Sequence, residues 1–226
     1  MYKYSIIIPT LNEEKFLPLV LEHLNKFDDD FEIIVSDGGS SDDTVNIAES
    51  FGVKICKGET GKGMQLNKGA ECSAGEILIC LHADTFLPED AFIFTNKLFL
   101  DSKNNIATFM MKFDVGNFLL KLYSQFTRFD SIFTTFGDQA IIIRRKLFNQ
   151  LGGFAKLPIF EDVELLKRAR KFNKVHKIPL YVITSARRFE KKGYLKTQCL
   201  NGLYILEYLA GVNPDNIYKK YFRNKL

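Results

Sequence analysis

Three short groups of polar residues in the N-terminal half each follow an apolar segment, and each could contact a ligand. They are Pro9–Glu13, Asp37–Ser40 and His82–Asp84. In open α/β sheets, ligands bind beyond the carboxyl ends of the strands. If the apolar segments are parallel strands of one sheet, the three groups lie along a single edge. Their convergence indicates a ligand-binding site there.

Two common nucleotide-binding motifs do not fit this chain. A P-loop requires G-x-x-x-x-G-K-[ST], but around Gly61 and Lys62 the first glycine position holds Cys56 and the last position holds Gly63. A dinucleotide fingerprint requires G-x-G-x-x-G after the first strand, where this chain has Pro9–Leu11. The sequence therefore argues against an ATPase and against an NAD-dependent dehydrogenase.

The elements that must position these groups alternate between strand-like and helix-like segments. This βαβαβαβ order favours a parallel sheet that is buried on both faces. The predicted strands are Tyr4–Pro9, Phe31–Ser36, Val53–Cys56 and Ile77–Leu81. The predicted helices are Phe16–Phe27, a segment ending at Phe51, Gly63–Ser73 and Pro88–Leu100, with Pro88 near the first helical position.

The alternation becomes looser after residue 100. Strands are predicted at Ile106–Phe113, Ala140–Arg144 and Ile178–Thr184, and helices at Phe118–Phe133, Glu161–Phe172 and Tyr194–Gly211. No linker separates independent domains, so we expect one domain over residues 1–226. It would consist of a nucleotide-binding half (1–100), an acceptor and catalytic half (101–190) and a helical C-terminal addition (191–226).

Composition limits the class of protein. The 226 residues are 46% hydrophobic and 26% charged, which are ordinary globular values. The net charge of +4 permits a phosphate-bearing partner without requiring one. The four cysteines include no C-x-x-C pair and favour a reducing cytoplasm over a disulfide framework. No apolar segment is long enough to span a membrane, which predicts a soluble protein that at most touches a membrane surface.

Two N-terminal motifs resemble family 2 glycosyltransferases, which have the GT-A fold. They are Ser5–Glu14 (SIIIPTLNEE) and Val35–Thr44 (VSDGGSSDDT), and the resemblance extends over about residues 4–170. It implies a Rossmann-like mixed, mainly parallel sheet flanked by helices, and transfer of a sugar from a nucleotide-diphosphate sugar, most often a UDP-sugar. Later segments agree in order and spacing, namely Leu81–Thr85, Gly152–Phe154 and Glu161–Leu165. Phe136–Gln139 together with Thr184–Arg188 is similar to a small soluble bacterial subgroup.

The resemblance implies nucleotide binding by residues at the strand ends and in the helix after the third strand. Asp37 matches the acid that hydrogen-bonds the base, usually uracil, and its alternative role is that of a turn and cap residue. Lys62 matches a position that counters the diphosphate charge, and its alternative is an ordinary solvated lysine. The complete set is Pro9, Thr10, Glu13, Asp37, Gly38, Lys62, Gln65, Asn67, His82 and Ala83.

Asp84 matches the last acid of the family's Asp-x-Asp metal motif, which implies Mg²⁺ or Mn²⁺. A divalent cation that bridges two phosphates needs hard oxygen ligands, and it neutralises charge on the departing diphosphate. His82 stands where the first acid of the motif is often found. The chain departs from the family pattern at that position.

Glu161 and Asp162 match the family's catalytic pair. Sugar transfer with inversion requires a base that deprotonates the acceptor hydroxyl as it attacks the anomeric carbon. The resemblance assigns Asp162 as this base and Glu161 as an orienting or acceptor-contacting residue, although acids are also favoured at any helix N-terminus. Contacts with the donor sugar, the acceptor or a phosphate are predicted for Asp138, Gln139, Arg187 and Arg188.

Two other functions stay open. A nucleotidyltransferase has a similar sheet but carries a glycine-rich basic signature where this chain has the acidic Pro9–Glu13. A non-catalytic sugar-nucleotide-binding protein would not need both Asp84 and the Glu161–Asp162 pair. Dispersed basic residues argue against nucleic acid as a partner. A phosphorylated or lipid-linked acceptor, a homodimer, and contact of Tyr194–Val212 with the inner face of the membrane are open predictions for a cytoplasmic enzyme.

Overall fold

The computed structural model describes residues 3–223. Its sheet has eight strands in the order β3-β2-β1-β4-β7-β6-β8-β5. Strands β1 to β4 are parallel, β7 is antiparallel to both β4 and β6, β8 is parallel to β6, and β5 is antiparallel to β8. The bounds are β1 Tyr4–Thr10, β2 Phe31–Asp37, β3 Lys54–Lys57, β4 Ile77–Cys80, β5 Thr85–Phe86, β6 Ile106–Phe113, β7 Ile141–Arg144 and β8 His176–Thr184.

Helices cover both faces because the central strands bury alternate residues on opposite sides. In β1, Ile6 and Ile8 join the core formed with α1, α2 and α4, while Ile7 joins the core formed with α3, α6 and α7. The helices are α1 Leu17–Leu24, α2 Thr44–Ser50, α3 Lys62–Cys72, α4 Ala91–Phe99, α5 Phe118–Phe126, α6 Arg145–Leu151, α7 Glu161–Ala169, α8 Arg187–Lys192, α9 Tyr194–Leu209 and α10 Pro214–Arg223. The alternation predicted from the sequence is confirmed.

Several predicted helix boundaries are wrong. The helices predicted to end at Phe27 and Phe172 end at Leu24 and Ala169. The helix predicted over Phe118–Phe133 ends at Phe126 because the next residue, Thr127, is buried and takes its hydrogen bonds from the core. Its hydroxyl donates to the Ser124 carbonyl at 2.7 Å and accepts from the Met111 amide at 3.0 Å. Pro88 is not near the first helical position, since it lies in a turn before α4, which begins at Ala91.

A disulfide bond joins Cys56 of β3 to Cys72 at the end of α3, with 6.7 Å between their Cα atoms. The cysteine pattern predicts no disulfide, and this pair corrects that prediction. The two cysteines meet because α3 returns along the sheet to the edge strand β3. The Lys54 amine also donates to the Cys72 carbonyl at 2.6 Å. Cys80 and Cys199 are free.

The C-terminal addition consists of α9 and α10, with Ile217 of α10 fully buried. The last three residues of the predicted addition, 224–226, lie outside the described residues. Within residues 3–223, no helix combines the length and the apolar character needed to cross a membrane.

Candidate active site

The loops after β1 and β2 are locked to each other. Asn12, at a left-handed φ of 57°, donates its amide to the Ser40 hydroxyl at 2.9 Å and accepts from the Ser41 amide at 2.8 Å. The Glu13 amide donates to the Thr44 hydroxyl at 2.8 Å. The first two predicted polar groups therefore do converge at one edge of the sheet.

Asp37 ends β2 and organises the turn that follows it. Its carboxylate accepts from the amides of Gly39 and Ser40, both at 2.9 Å, and from the Thr10 hydroxyl at 3.2 Å. Burial alone would raise the pKa of Asp37, but the hydrogen bonds from Ser40, Gly39 and Thr10 lower the pKa below its usual value. These contacts are those of the turn and cap role, and contact with a base stays a prediction.

The structure differs from the prediction that Gln65 and Asn67 face the nucleotide. The Gln65 amide is buried and donates to the carbonyls of Thr10 and Ser36, at 2.5 and 3.1 Å. Asn67 donates to the Phe154 carbonyl at 2.9 Å and accepts from the Phe154 amide at 2.8 Å. Both amides point from α3 towards backbone groups that need partners, so they position the site instead of lining it.

Small and buried residues at the strand ends shape the same edge. A Cβ atom at Gly38 would lie 2.8 Å from the Gln65 amide nitrogen, so a larger residue would displace Gln65. Pro9 and Ala83 are buried. Lys62, the first residue of α3, is exposed.

Arg187 of α8 joins the ends of β1 and β4. Its guanidinium donates to both carboxylate oxygens of Glu13, at 3.0 and 2.8 Å, and forms an ion pair with Asp84 at 3.1 Å. It also stacks over the Phe16 ring, 4.4 Å from the centroid. Arg187 therefore links the polar group after β4 to the polar group after β1. The loop contacts described above join the group after β1 to the group after β2.

The residues around Asp84 fit a metal ion that takes most of its ligands from a substrate. Asp84 contacts Arg187 through Oδ2, and within residues 3–223 its Oδ1 has no hydrogen-bond partner. The described part of the chain contains no group of three or more His, Cys, Asp or Glu side chains that could hold a metal. Mg²⁺ typically binds one or two carboxylates together with substrate phosphates and water. Asp84 is the side chain that would hold such an ion.

Asp162, at the start of α7, is held by backbone amides. Oδ2 accepts from the Gly137 amide at 2.6 Å, and Oδ1 accepts from the Val163 amide at 2.7 Å. A Cβ atom at Gly137 would lie 3.2 Å from Asp162 Oδ2 and 3.4 Å from His82 Nε2. Gly137 therefore brings Asp162, the predicted base, close to His82 in the segment after β4.

Burial perturbs three titratable groups around Asp162. Burial, and then the charge of Asp162, raises the pKa of Glu161 to about 7. The same two causes raise the pKa of Asp138 to about 6, and its Oδ1 atom is buried without a hydrogen-bond partner. Burial together with the charges of Lys62, Arg188 and Arg187 holds the pKa of His82 well below its usual value. A cluster of such shifted groups is typical of a functional site.

Gln139 and Arg188 have different surroundings. Gln139 is fully buried, donates to the Thr134 carbonyl at 2.6 Å and accepts from Lys177. The structure thus gives Gln139 a role in fixing the 3₁₀ turn Gly137–Gln139, in place of the predicted acceptor contact. Arg188 is exposed over the Tyr221 ring, and its charge acts on Asp138 and Asp84.

Four residues at the site have roles that no sequence pattern indicates. Asn12, Ala140 and Phe160 are the non-glycine residues with positive φ in the described chain, and each adjoins a site segment. Residues with such strained backbone conformations are often found at functional sites. The sequence does not predict them, because no residue type is specific to that conformation. Burial lowers the pKa of Lys177 to about 7, and its amine donates a hydrogen bond to Gln139 of the Gly137–Gln139 turn.

Comparisons with known proteins show the family and the fold of this chain. The family model "Glycosyl transferase family 2" matches residues 5–155. A PGL/p-HBAD biosynthesis glycosyltransferase of Mycobacterium bovis (strain BCG / Pasteur 1173P2) is 37% identical over 94 residues, covering 38% of this chain and 37% of that protein. The alignment thus spans little more than a third of that relative.

Two solved structures share the fold. S. aureus TarS 1–349 in complex with UDP-GlcNAc has a TM-score of 0.68 and 21% identity, covering 82% of this chain and 59% of that chain. A mannosyltransferase from Pyrobaculum calidifontis in complex with GDP-Man and Mn²⁺ has a TM-score of 0.71 and 18% identity, covering 99% of this chain and 68% of that chain. These likenesses confirm the predicted GT-A fold. Since the family model matches more than half of its residues, the chain belongs to glycosyl transferase family 2.

Proposed function

We propose that this chain transfers a sugar from a nucleoside-diphosphate sugar to an acceptor hydroxyl, with inversion at the anomeric carbon. The observation that carries the proposal is the placement of Asp162. Its carboxylate is fixed by the Gly137 amide beside His82, at the edge where Asp37 and Asp84 also lie. Each of its oxygens accepts one hydrogen bond and keeps a second lone pair.

In this mechanism Asp162 accepts the proton of the acceptor hydroxyl as its oxygen attacks the anomeric carbon. The bond between that carbon and the diphosphate oxygen breaks, and the nucleoside diphosphate leaves with the electron pair. Arg187 holds Glu13 and Asp84 in place, and Lys62 and Arg188 place positive charge beside the carboxylates. When bound at Asp84, Mg²⁺ or Mn²⁺ would neutralise charge on the leaving diphosphate.

The proposal also extends to the donor, the acceptor and the location. We take the donor to be a UDP-sugar, as in the TarS structure, although the similar mannosyltransferase structure contains GDP-Man. The cytoplasmic location, the phosphorylated or lipid-linked acceptor and the homodimer stay predictions.

The donor half of the proposal is tested by thermal shifts with UDP, GDP, CDP, TDP and ADP, each with and without Mn²⁺. A ligand at about 100 times its Kd should add about 2.7 kcal/mol of stability. We expect one nucleotide to stabilise the protein, and Asp84→Asn to remove the dependence on Mn²⁺.

The catalytic half is tested by Asp162→Asn. Loss of the base should lower transfer or donor hydrolysis by about 10²- to 10⁴-fold, while the thermal shift with the nucleotide is retained. Release of a nucleoside diphosphate identifies glycosyl transfer, whereas release of pyrophosphate would identify a nucleotidyltransferase. Unchanged turnover in Asp162→Asn would exclude Asp162 as the base.

A further inference from the structure

Helix α5 presents an apolar face to solvent. Phe118 and Phe126 are 76% and 51% exposed, and Leu119 and Leu122 are exposed between them. Their spacing places all four on one side of the helix. The opposite side carries the buried Leu120 and packs inwards. The exposed face is therefore additional to the face that holds α5 on the protein.

Helix α9 has the same two-sided character. Leu195 and Leu206 are 64% and 55% exposed, and Leu203 and Leu209 are also exposed. Helical spacing places these four leucines on one side, along most of the length of α9. Tyr204 and Ile205 are buried on the inner side. Apolar faces of this kind on a protein surface mark an interaction site.

The two faces belong to helices that adjoin the candidate active site. Helix α5 packs against α9, and α9 follows α8, which carries Arg187, after a single glycine. Tyr123 lies on the inner side of α5. Burial, and then the charges of Asp138 and Asp162, raise its pKa. A surface that bound α5 and α9 would therefore lie close to the catalytic carboxylates.

The charge around these faces favours an anionic partner. The segment after residue 185 contains nine Lys or Arg residues and three Asp or Glu residues, an excess larger than the +4 of the whole chain. Lys121, Lys191 and Lys196, on or beside α5 and α9, are exposed. Across residues 3–223, none of these three lysines forms an ion pair.

We propose that α5 and α9 dock on the surface of an anionic lipid bilayer. Exposed Phe and Leu side chains enter the boundary between headgroups and acyl chains, and the lysines lie against anionic headgroups. A second copy of the chain would instead bring two lysine-bearing faces together. If the proposed function holds, the docked enzyme meets an acceptor hydroxyl carried by a membrane-anchored molecule.

Sedimentation with vesicles tests the proposal. The probes are vesicles of phosphatidylcholine alone and vesicles that contain about one-third phosphatidylglycerol, since anionic lipid should dominate binding. We expect the protein to bind the anionic vesicles and to be released by salt. Phe118→Ser with Phe126→Ser, or Leu195→Ser with Leu206→Ser, should each weaken binding at least about tenfold. Lys191→Gln and Lys196→Gln should each weaken binding to anionic vesicles about fivefold.

The matched control is Ile93→Ser on α4, since Ile93 is 65% exposed but far along the chain from both helices. It should bind like the unmodified protein. The nucleotide thermal shift is measured on every variant, so that a failure of the proposed function is seen separately from a failure of docking. The proposal would be overturned if the protein did not bind anionic vesicles. It would also be overturned if the α5 and α9 variants bound them as strongly as the unmodified protein does. A dimer that Leu195→Ser with Leu206→Ser dissociates would assign the face to a second copy.

Discussion

At the scale of single residues, Arg187 connects the two halves of the candidate site. Its planar guanidinium donates hydrogen bonds to both carboxylate oxygens of Glu13 and forms an ion pair with Asp84. In Arg187→Lys the charge remains but the two-pronged geometry is lost, so we expect UDP to bind about tenfold more weakly in the presence of Mn²⁺. Titration calorimetry measures this affinity.

Arg128→Lys is the matched control for Arg187→Lys, because Arg128 is exposed in the turn after α5 and contacts Gln125. Its affinity for UDP should not change. An Arg187→Lys protein with unaltered affinity would show that the two-pronged geometry is not needed to organise the nucleotide site.

Glu161 makes the stability of the protein depend on pH. Burial raises its folded-state pKa to about 7, against 4.5 for an unperturbed glutamate. Between these two values the folded protein keeps a proton that the unfolded chain releases, so this residue lowers stability as the pH rises through 7. Glu161→Gln removes the titration. We expect the variant to melt roughly 3 °C or more above the unmodified protein at about pH 8.

The same comparison at about pH 4.5 should show little difference, because Glu161 is then protonated in the folded state and about half protonated in the unfolded chain. Thermal unfolding across this pH range measures both ends. Glu190→Gln, at an exposed residue of α8, should show no such pH dependence. A melting difference between Glu161→Gln and the unmodified protein that is constant with pH would contradict the buried-charge explanation.

The residue scale also shows what a sequence motif can and cannot indicate. Asp84, Asp162 and Glu13 are singled out by their match to the motifs of family 2 glycosyltransferases, and their contacts with a ligand stay predictions. The structural roles of Gln65 and Gln139 have no such signal, because an amide serves a backbone carbonyl as well as it serves a ligand. Only packing shows that both are buried.

At the scale of elements, α3 lies against β1 through Gly69. A Cβ atom at Gly69 would overlap Cγ2 of Ile7, which is fully buried. We expect Gly69→Ala to destabilise the protein by about 1–3 kcal/mol, since a packed core accommodates an added methyl only by shifting. Denaturant unfolding at equilibrium measures the change.

Gly202 on α9 is the matched control for Gly69. It is also helical, but a Cβ atom there meets nothing within 4 Å. Gly202→Ala should stabilise the protein by about 0.4–1 kcal/mol, because alanine restricts the unfolded chain. Similar effects of the two substitutions would contradict the close approach of α3 to β1.

A strand or helix was predictable where its own residues carry the hydrophobic pattern. It was not predictable where contacts with distant segments determine whether it forms or where it ends. The apolar segments of β1, β2 and β4 identify themselves as strands buried on both faces. Strand β5 has two residues and exists because Thr85 and Phe86 pair with β8, where the Thr85 hydroxyl donates to the Thr184 hydroxyl at 3.0 Å. The early end of α5 at Phe126 likewise depends on the distant Met111.

At the scale of the whole molecule, the predicted division near residue 100 does not coincide with a break in the sheet. Strand β4 of the first half pairs with β7 of the second, with Ile79 opposite Ile142. Tyr4 and Phe109, from opposite sides of the division, belong to the same hydrophobic core. The first half, residues 1–100, therefore lacks a complete core of its own.

This continuity predicts a single cooperative unfolding transition for the described fold. Opening the second half would expose β4 and one side of the shared core, so the two halves should open together. We expect calorimetric and van't Hoff enthalpies to agree, and amides of β1 and β7 to exchange hydrogen with the same dependence on denaturant. If β1 stayed protected while β6 and β7 exchanged, the first half would be stable alone. The GT-A sheet of this chain would then consist of two separable units, with the acceptor side free to open while the nucleotide side stays folded.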